Sequence, residues 1–250
     1  LLGFGTVGSG VFETLIKNEK RITEKAGVEI QVKRILDLRP FSGETFAHLI
    51  TSGFNDILND PEISIVIEML GGVDPAYTFS KQALAAGKSV ITSNKAVVAE
   101  HGPELLQLAI DNNCNYLFEA SVGGGIPIIR PLVEVLQTDH ITSISGILNG
   151  TTNYILTQMK EHGKTFPEAL AEAQAKGYAE FDPTADVGGH DTCRKIAILS
   201  SLVSGKHVDF NDIPTQGITE ITAEDIQYAT ALGYSIKLVG HADISDAGIS

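Results

Sequence analysis

The sequence predicts an α/β protein: a doubly wound, Rossmann-type sheet domain over residues 1–137, then an α+β domain over 138–250. Three observations carry this. The chain opens on a strand end, a Gly-x-Gly-x-x-Gly turn and an amphipathic helix. Strand-like and helix-like segments then alternate as far as Glu119, the pattern of a parallel sheet with crossover helices. From Thr138 the pattern changes to an alternating, antiparallel-type strand followed by helices.

The first turn places Gly3, Phe4, Gly5, Thr6, Val7 and Gly8 between strand and helix. Gly3 allows the tight turn, Gly5 lets the backbone approach a pyrophosphate, and Gly8 lets helix and strand pack closely. The helix N-terminus then faces phosphate charge. The bland alternative is a tight strand–helix turn, but the strand–turn–helix context favours a dinucleotide site. Residues 28–38 alternate and then turn apolar, as a second strand. Asp37 ends it, where an acid accepts from a ribose 2′-OH. Arg39 suits a 2′-phosphate instead. The two residues argue for NAD and NADP respectively, and both stay open.

Strands follow at 63–70, 88–92 and 115–119, with helices at 74–86 and 103–112 and Gly87 as a helix stop. Ligands of such sheets lie at the carboxyl ends of the strands. The Gly3–Gly8 turn, Gly71, Thr92, Ser93, Lys95 and Glu119 all fall there. Residues 120–131 are Gly-rich, with three successive glycines. Inward carbonyls here, with Glu119, suit a hard cation; a hinge between domains is the alternative.

In the second domain, 141–148 is the strand, and Asn149-Gly150-Thr151-Thr152-Asn153 opens a helix with groups to cap or bind. A second helix starts at Thr165, with Glu168 completing a capping box and Gly177 ending it. The loop 177–187 carries Tyr178, Glu180, Asp182 and Asp186. It is either a solvated acidic face or a pocket for the ammonium group of an amino-acid substrate. In the next helix Asp191 and Lys195 lie one turn apart. Ile198, Leu199, Leu202 and Val203 fall around them, while Arg194, Ser200, Ser201 and Ser204 gather opposite. The plain alternative is an exposed ion pair. An inward charge, however, must be paired, neutralised or in use. Burial lowers a lysine pKa towards the range of a proton carrier while a neighbouring carboxylate raises it, and the sequence leaves that balance open. A helix at 223–231 and a strand at 235–241 complete the pattern.

With 18 Lys and Arg against 31 Asp and Glu, the net charge of −13 excludes nucleic acid as the main partner. A nucleotide cofactor held by backbone amides remains compatible. No run of 18 apolar residues predicts a membrane span, and no signal peptide is recognisable. Cys114 and Cys193 form no spaced motif and are expected as reduced thiols of a cytoplasmic protein. The chain opens at a strand end without an initiator Met, and residues 243–250 stop without a closing element. A clipped N-terminus and an incomplete C-terminus are expected.

Gly-Phe-Gly-Thr-Val-Gly, Thr-Ser-Asn-Lys-Ala, Glu-Ala-Ser-Val-Gly-Gly-Gly-Ile-Pro-Ile, Gly-Ile-Leu-Asn-Gly-Thr-Thr-Asn-Tyr-Ile and Gly-Tyr-Ala-Glu-Phe-Asp-Pro-Thr-Ala-Asp-Val-Gly-Gly-His-Asp, with the following Lys195, resemble the homoserine dehydrogenases over essentially the whole chain. The resemblance implies reversible, NAD(P)-dependent interconversion of homoserine and aspartate 4-semialdehyde, on the route to threonine, isoleucine and methionine. It implies Lys195 as proton donor and acceptor with Asp191 beside it; Lys95 is a second candidate for the proton. Glu180, Asp186, Tyr178, Gly150 and Thr151 would line the substrate pocket. Val7, Thr92, Lys95 and Gly177 would contact the cofactor. A sodium-type cation would bind Glu119 and the carbonyls of Val122, Gly124 and Ile126. A homodimer is implied through the second domain. Leu36 stands where many family members carry an arginine suited to a 2′-phosphate. Competing readings are a related oxidoreductase acting on another small aldehyde and a non-catalytic dinucleotide sensor.

Overall fold

A computed structural model describes residues 1–136, 138–245 and 248–250. The chain forms two compact units, Leu1–Pro127 and Ile128–Ser250. The boundary expected at residue 137 lies outside the described residues. The helical turn Pro131–Val135 packs against the long helix of the second unit.

In the first unit, Leu2 bridges in parallel to both Leu36 and Glu68. Around it lie β1 (Ile35–Leu36), β2 (Ile50–Thr51), β3 (Ile65–Glu68), β4 (Ser89–Thr92) and β5 (Tyr116–Leu117). The pairings give the order β2-β1-Leu2-β3-β4-β5, all parallel. Counting the strand of Leu2 as the first, this is the 3-2-1-4-5-6 order of a doubly wound sheet. Helices α1 (Thr6–Lys17), α2 (Glu19–Ala26), α3 (Asn55–Leu58), α4 (Ala76–Ala85) and α5 (Lys95–Asp111) connect the strands. Leu2, Ile35, Val66, Leu84, Val90, Val97 and Leu105 are fully buried. Each such side chain contributes about 1.5–3 kcal/mol by leaving water.

Two elements differ from expectation. The strand over 28–38 is hydrogen-bonded only at Ile35–Leu36, because its partner β2 is itself two residues long. The helix expected from Pro103 begins at Lys95. The Asn94 side chain accepts from the amides of Ala96 and Val97, and buried Val97, Val98 and Ala99 hold the first turns. That burial outweighs the breaking tendency of Pro103 within the helix.

The second unit contains β6 (Ser143–Gly146), β7 (Gly240–Ser245) and β8 (Gly248–Ile249), paired antiparallel in that order. Its helices are α6 (Gly150–His162), α7 (Phe166–Ala175), α8 (Thr184–Val187), α9 (His190–Ser204) and α10 (Ala223–Ala231). The strand expected at 235–241 lies instead at Gly240–Ser245. Ile236 and Leu238 spend their alternation on the helical core of Ile155, Leu156, Met159, Ala169 and Ala173. Gly240 opens the ladder because a Cβ there would lie 3.0 Å from Leu148 and 3.1 Å from Thr192. Residues 243–245, read as lacking a closing element, complete β7. Capping boxes start α7 at Thr165 and Glu168, and α10 at Thr222 and Asp225.

Candidate functional site

The first unit builds a cradle from its opening turn. Gly3 has φ +89°, a conformation that favours glycine. A Cβ on Gly8 would lie 2.2 Å from the Gly3 carbonyl, whereas one on Gly5 would meet nothing within 4 Å. Gly8 therefore closes helix on strand, and Gly5 keeps an open approach. Phe4 is buried; Gly5, Thr6 and Val7 are exposed where α1 begins. The turn is tied to the end of β1: the Phe4 amide donates to Asp37 Oδ2 at 3.0 Å. Arg39 donates to Asp37 through Nε (3.0 Å) and Nη2 (2.8 Å), and to the Phe4 carbonyl at 2.7 Å. Bonded to Arg39, the Asp37 carboxyl is held down at about 2.

The next loops meet at the carboxyl ends of β3 and β4. Gly71 is exposed; Ser93 and Lys95 are half-buried. Thr92 is buried, and its hydroxyl donates to Glu68 at 2.5 Å. Glu68 is 0% exposed. Burial raises its carboxyl above the usual range, opposed by bonds from Thr92, Leu70 and Asn94. Neither Glu68 nor Asn94 was among the site residues read from the sequence. An acidic residue closing an apolar strand was the available signal.

The segment expected to hold a cation forms a short 3-10 turn, Glu119–Ser121, and then folds back on itself. The Ile126 amide donates to Gly123 O at 3.0 Å, and the Ile126 carbonyl lies 2.3 Å from where a Gly123 Cβ would stand. Val122 is buried, and Gly124 has φ +58°. Among the described residues, no three His, Cys, Asp or Glu side chains converge as a metal site.

In the second unit, α9 points its charged pair inward. Asp191 is 2% exposed and the Lys195 side chain 14%, at 2.7 Å from one another. Lys195 Nζ also donates to the Leu148 carbonyl at 2.8 Å. Asn149 Nδ2 donates to Asp191 at 2.9 Å and to Asp186 at 2.7 Å. Its Oδ1 accepts from the Thr152 amide at 2.8 Å, capping α6. Gly150 is exposed on the first turn of that helix, and Thr151 donates to the Tyr178 carbonyl at 2.7 Å. The structure thus gathers Asp186, Asp191, Lys195, Thr151 and the Tyr178 backbone around Asn149. The carbonyl of Glu180 accepts from Gln174 at 3.0 Å, and its side chain is exposed. Gly177 has φ +73° just past α7. The sequence reading places Asn149 in a helix-opening turn with groups to cap or bind, and carries no sign of its bridge to Asp186 and Asp191.

Family models match both halves of the chain: "Homoserine dehydrogenase, NAD binding domain" over residues 3–119 and "Homoserine dehydrogenase" over 127–250. The homoserine dehydrogenase of Pseudomonas aeruginosa is 43% identical over 249 residues, covering 99% of this chain and 57% of that protein. The crystal structure of a homoserine dehydrogenase from Thiobacillus denitrificans is 44% identical with a TM-score of 0.93, covering 99% of this chain and 58% of that one. A hyperthermophilic archaeal homoserine dehydrogenase solved in complex with NADPH is 29% identical with a TM-score of 0.78, covering 100% of this chain and 78% of that one. The chain spans little more than half the length of the curated relatives it matches.

Proposed function

The chain belongs to the homoserine dehydrogenase family, and we propose that it carries out the reversible NAD(P)-dependent oxidation of L-homoserine to L-aspartate 4-semialdehyde. The observation that carries this is the inward Lys195, paired with Asp191 and linked through Asn149 to Asp186. An ammonium offers three N–H donors. Asp191 and Leu148 accept two of those on Lys195, and the third serves a substrate oxygen. Lys195 takes the hydroxyl proton during oxidation and returns it during reduction. Asp191 and Leu148 O fix its position. Lys95, at the start of α5, is the second candidate for that proton.

The carboxylates of Asp186 and Glu180 hold the substrate ammonium, while Gly150, Thr151 and Tyr178 line the pocket. The open face of Gly5 and the closed face of Gly8 fit a dinucleotide diphosphate on the first turn of α1, at Thr6 and Val7. Asp37 and Arg39 take the adenosine ribose. Gly71, Thr92, Ser93, Lys95 and Gly177 take the remainder. NAD or NADP, when bound, supplies the hydride acceptor and donor.

The carboxylate of Glu119 and the carbonyls of Val122, Gly124 and Ile126 are hard oxygen donors of the kind an alkali cation prefers, and a sodium-type ion is assigned there. The working form is a homodimer, formed through the second unit. The cytoplasm suits free Cys114 and Cys193. No described helix is long and apolar enough to cross a membrane. The reaction belongs to threonine, isoleucine and methionine biosynthesis.

The test is initial-rate oxidation of L-homoserine with NAD and NADP in parallel, followed by nicotinamide absorbance. Turnover in the wild type that falls by about 10²–10⁴-fold in Lys195→Ala is the expected result. A folded, dinucleotide-binding protein without turnover overturns the assignment.

A further inference from the structure

Glu68 is a charged group that the proposed chemistry leaves unused. It is the last residue of β3, fully buried, and pairs with Leu2 on one side and Thr92 on the other. The strand of Leu2 and β3 flank the switch point of the sheet, the crevice in which dinucleotides lie. Burying a carboxylate there is costly unless it is fully bonded.

Its bonds reach two loops. Oε1 accepts from the Leu70 amide at 2.6 Å. Oε2 accepts from the Thr92 hydroxyl at 2.5 Å, and that hydroxyl in turn accepts from the Asn94 amide at 2.9 Å. Asn94 Nδ2 closes the ring on the Leu70 and Gly72 carbonyls, at 3.2 and 2.7 Å. The loop after β3 is thereby pinned to the loop that opens α5. Asp37 anchors the Gly3–Gly8 turn separately, through Phe4.

We propose that Glu68 is a positioning residue for the dinucleotide, a buried clamp that sets the loops at Leu70–Gly72 and Thr92–Asn94 as the bed for the nicotinamide half. This rests on the dinucleotide reading above. A glutamine of the same shape has one acceptor oxygen in place of two. Its NH₂ group then faces either the Leu70 amide, donor against donor, or the Thr92 hydroxyl, which loses the charged oxygen it donates to, and one side of the clamp weakens. The diphosphate on the Gly3–Gly8 turn and the adenosine ribose at Asp37 and Arg39 keep their contacts.

The experiment is calorimetric titration of the full chain with NADH and NADPH, and with ADP-ribose and its 2′-phosphate, which lack nicotinamide. Glu68→Gln and Thr92→Val are expected to weaken the complete dinucleotide about ten-fold and the truncated ligand less than about two-fold. Thr92→Ser, which keeps the hydroxyl, restores binding. Equal weakening of both ligands in both variants marks a general structural role and overturns the clamp, as does unchanged binding of both. Thr92→Val tests the same bond should Glu68→Gln fail to fold. A wild-type chain that binds none of the four ligands overturns the dinucleotide reading, and the clamp with it.

Discussion

Asn149 donates one side-chain amide to the buried carboxylate of Asp191, 2.9 Å away. The same nitrogen reaches Asp186 at 2.7 Å, so two acids that repel one another are bridged by a neutral donor. The oxygen of that side chain caps α6 through the Thr152 amide. The cap therefore fixes which end of the amide faces the acids.

Asn149→Asp separates those two tasks. Aspartate is as good an N-cap as asparagine. It loses the donor and adds a third negative charge beside Asp186 and Asp191. The expected result is a fall in kcat/KM of at least about 10²-fold, with the melting temperature lowered by the equivalent of about 1–3 kcal/mol. Asn149→Ala loses the cap as well and melts lower still. Thermal melts beside homoserine kinetics check both.

Lys195→Arg keeps the charge but holds its proton at any working pH. The Asp191 pairing persists in it. Kinetics are expected to show kcat reduced about 10²-fold or more while KM for homoserine changes only a few-fold. Equal activity in the arginine variant removes Lys195 from the proton path.

Gly8→Ala and Gly5→Ala are expected to part company. The new methyl at position 8 would sit 2.2 Å from a backbone oxygen, so the helix must move off the strand. The variant is expected to lose about 1–3 kcal/mol of stability along with dinucleotide affinity. Position 5 has room in the unliganded fold, so Gly5→Ala keeps its melting temperature and loses affinity alone. Denaturant titration and NADPH titration, run on both, decide it.

Acid stability carries a signature of Asp37. Its carboxyl titrates at about 2 in the fold against an ordinary 3.8, because of Arg39. A depressed folded pKa gives stability that is present above pH 3.8 and is lost as pH falls towards 2. Asp37→Asn removes this contribution, so the stability difference between wild type and variant narrows across that interval. Urea titrations at stepped pH measure it.

The sequence disclosed most where chemistry and geometry share a residue. Gly3, Gly5 and Gly8 announce the turn because no other side chain fits what each must do. Asp191 and Lys195 announce an inward pair because apolar neighbours surround them at helical spacing. The second helix of that unit was visible in its capping box. The start of α5 was hidden, because Pro103 reads as a helix opening while the real cap, Asn94, sits in a run that reads as loop. The alternation of Ile236 and Leu238 suggested a strand, but their partner is a helical core that only the tertiary fold supplies. Glu68 and Asn149 escaped for a common reason: each acts by joining segments distant in sequence, and no local spacing records such a link.

Because one asparagine both caps α6 and tethers Asp186 to Asp191, the two acids share the fate of a single helical turn. Whenever the first turn of α6 frays, the tether is released in the same motion. Amide exchange at Thr152 thus reports the fraction of molecules whose acids are momentarily unorganised, and the opening free energy of that turn sets a ceiling on how large a working population the protein can keep.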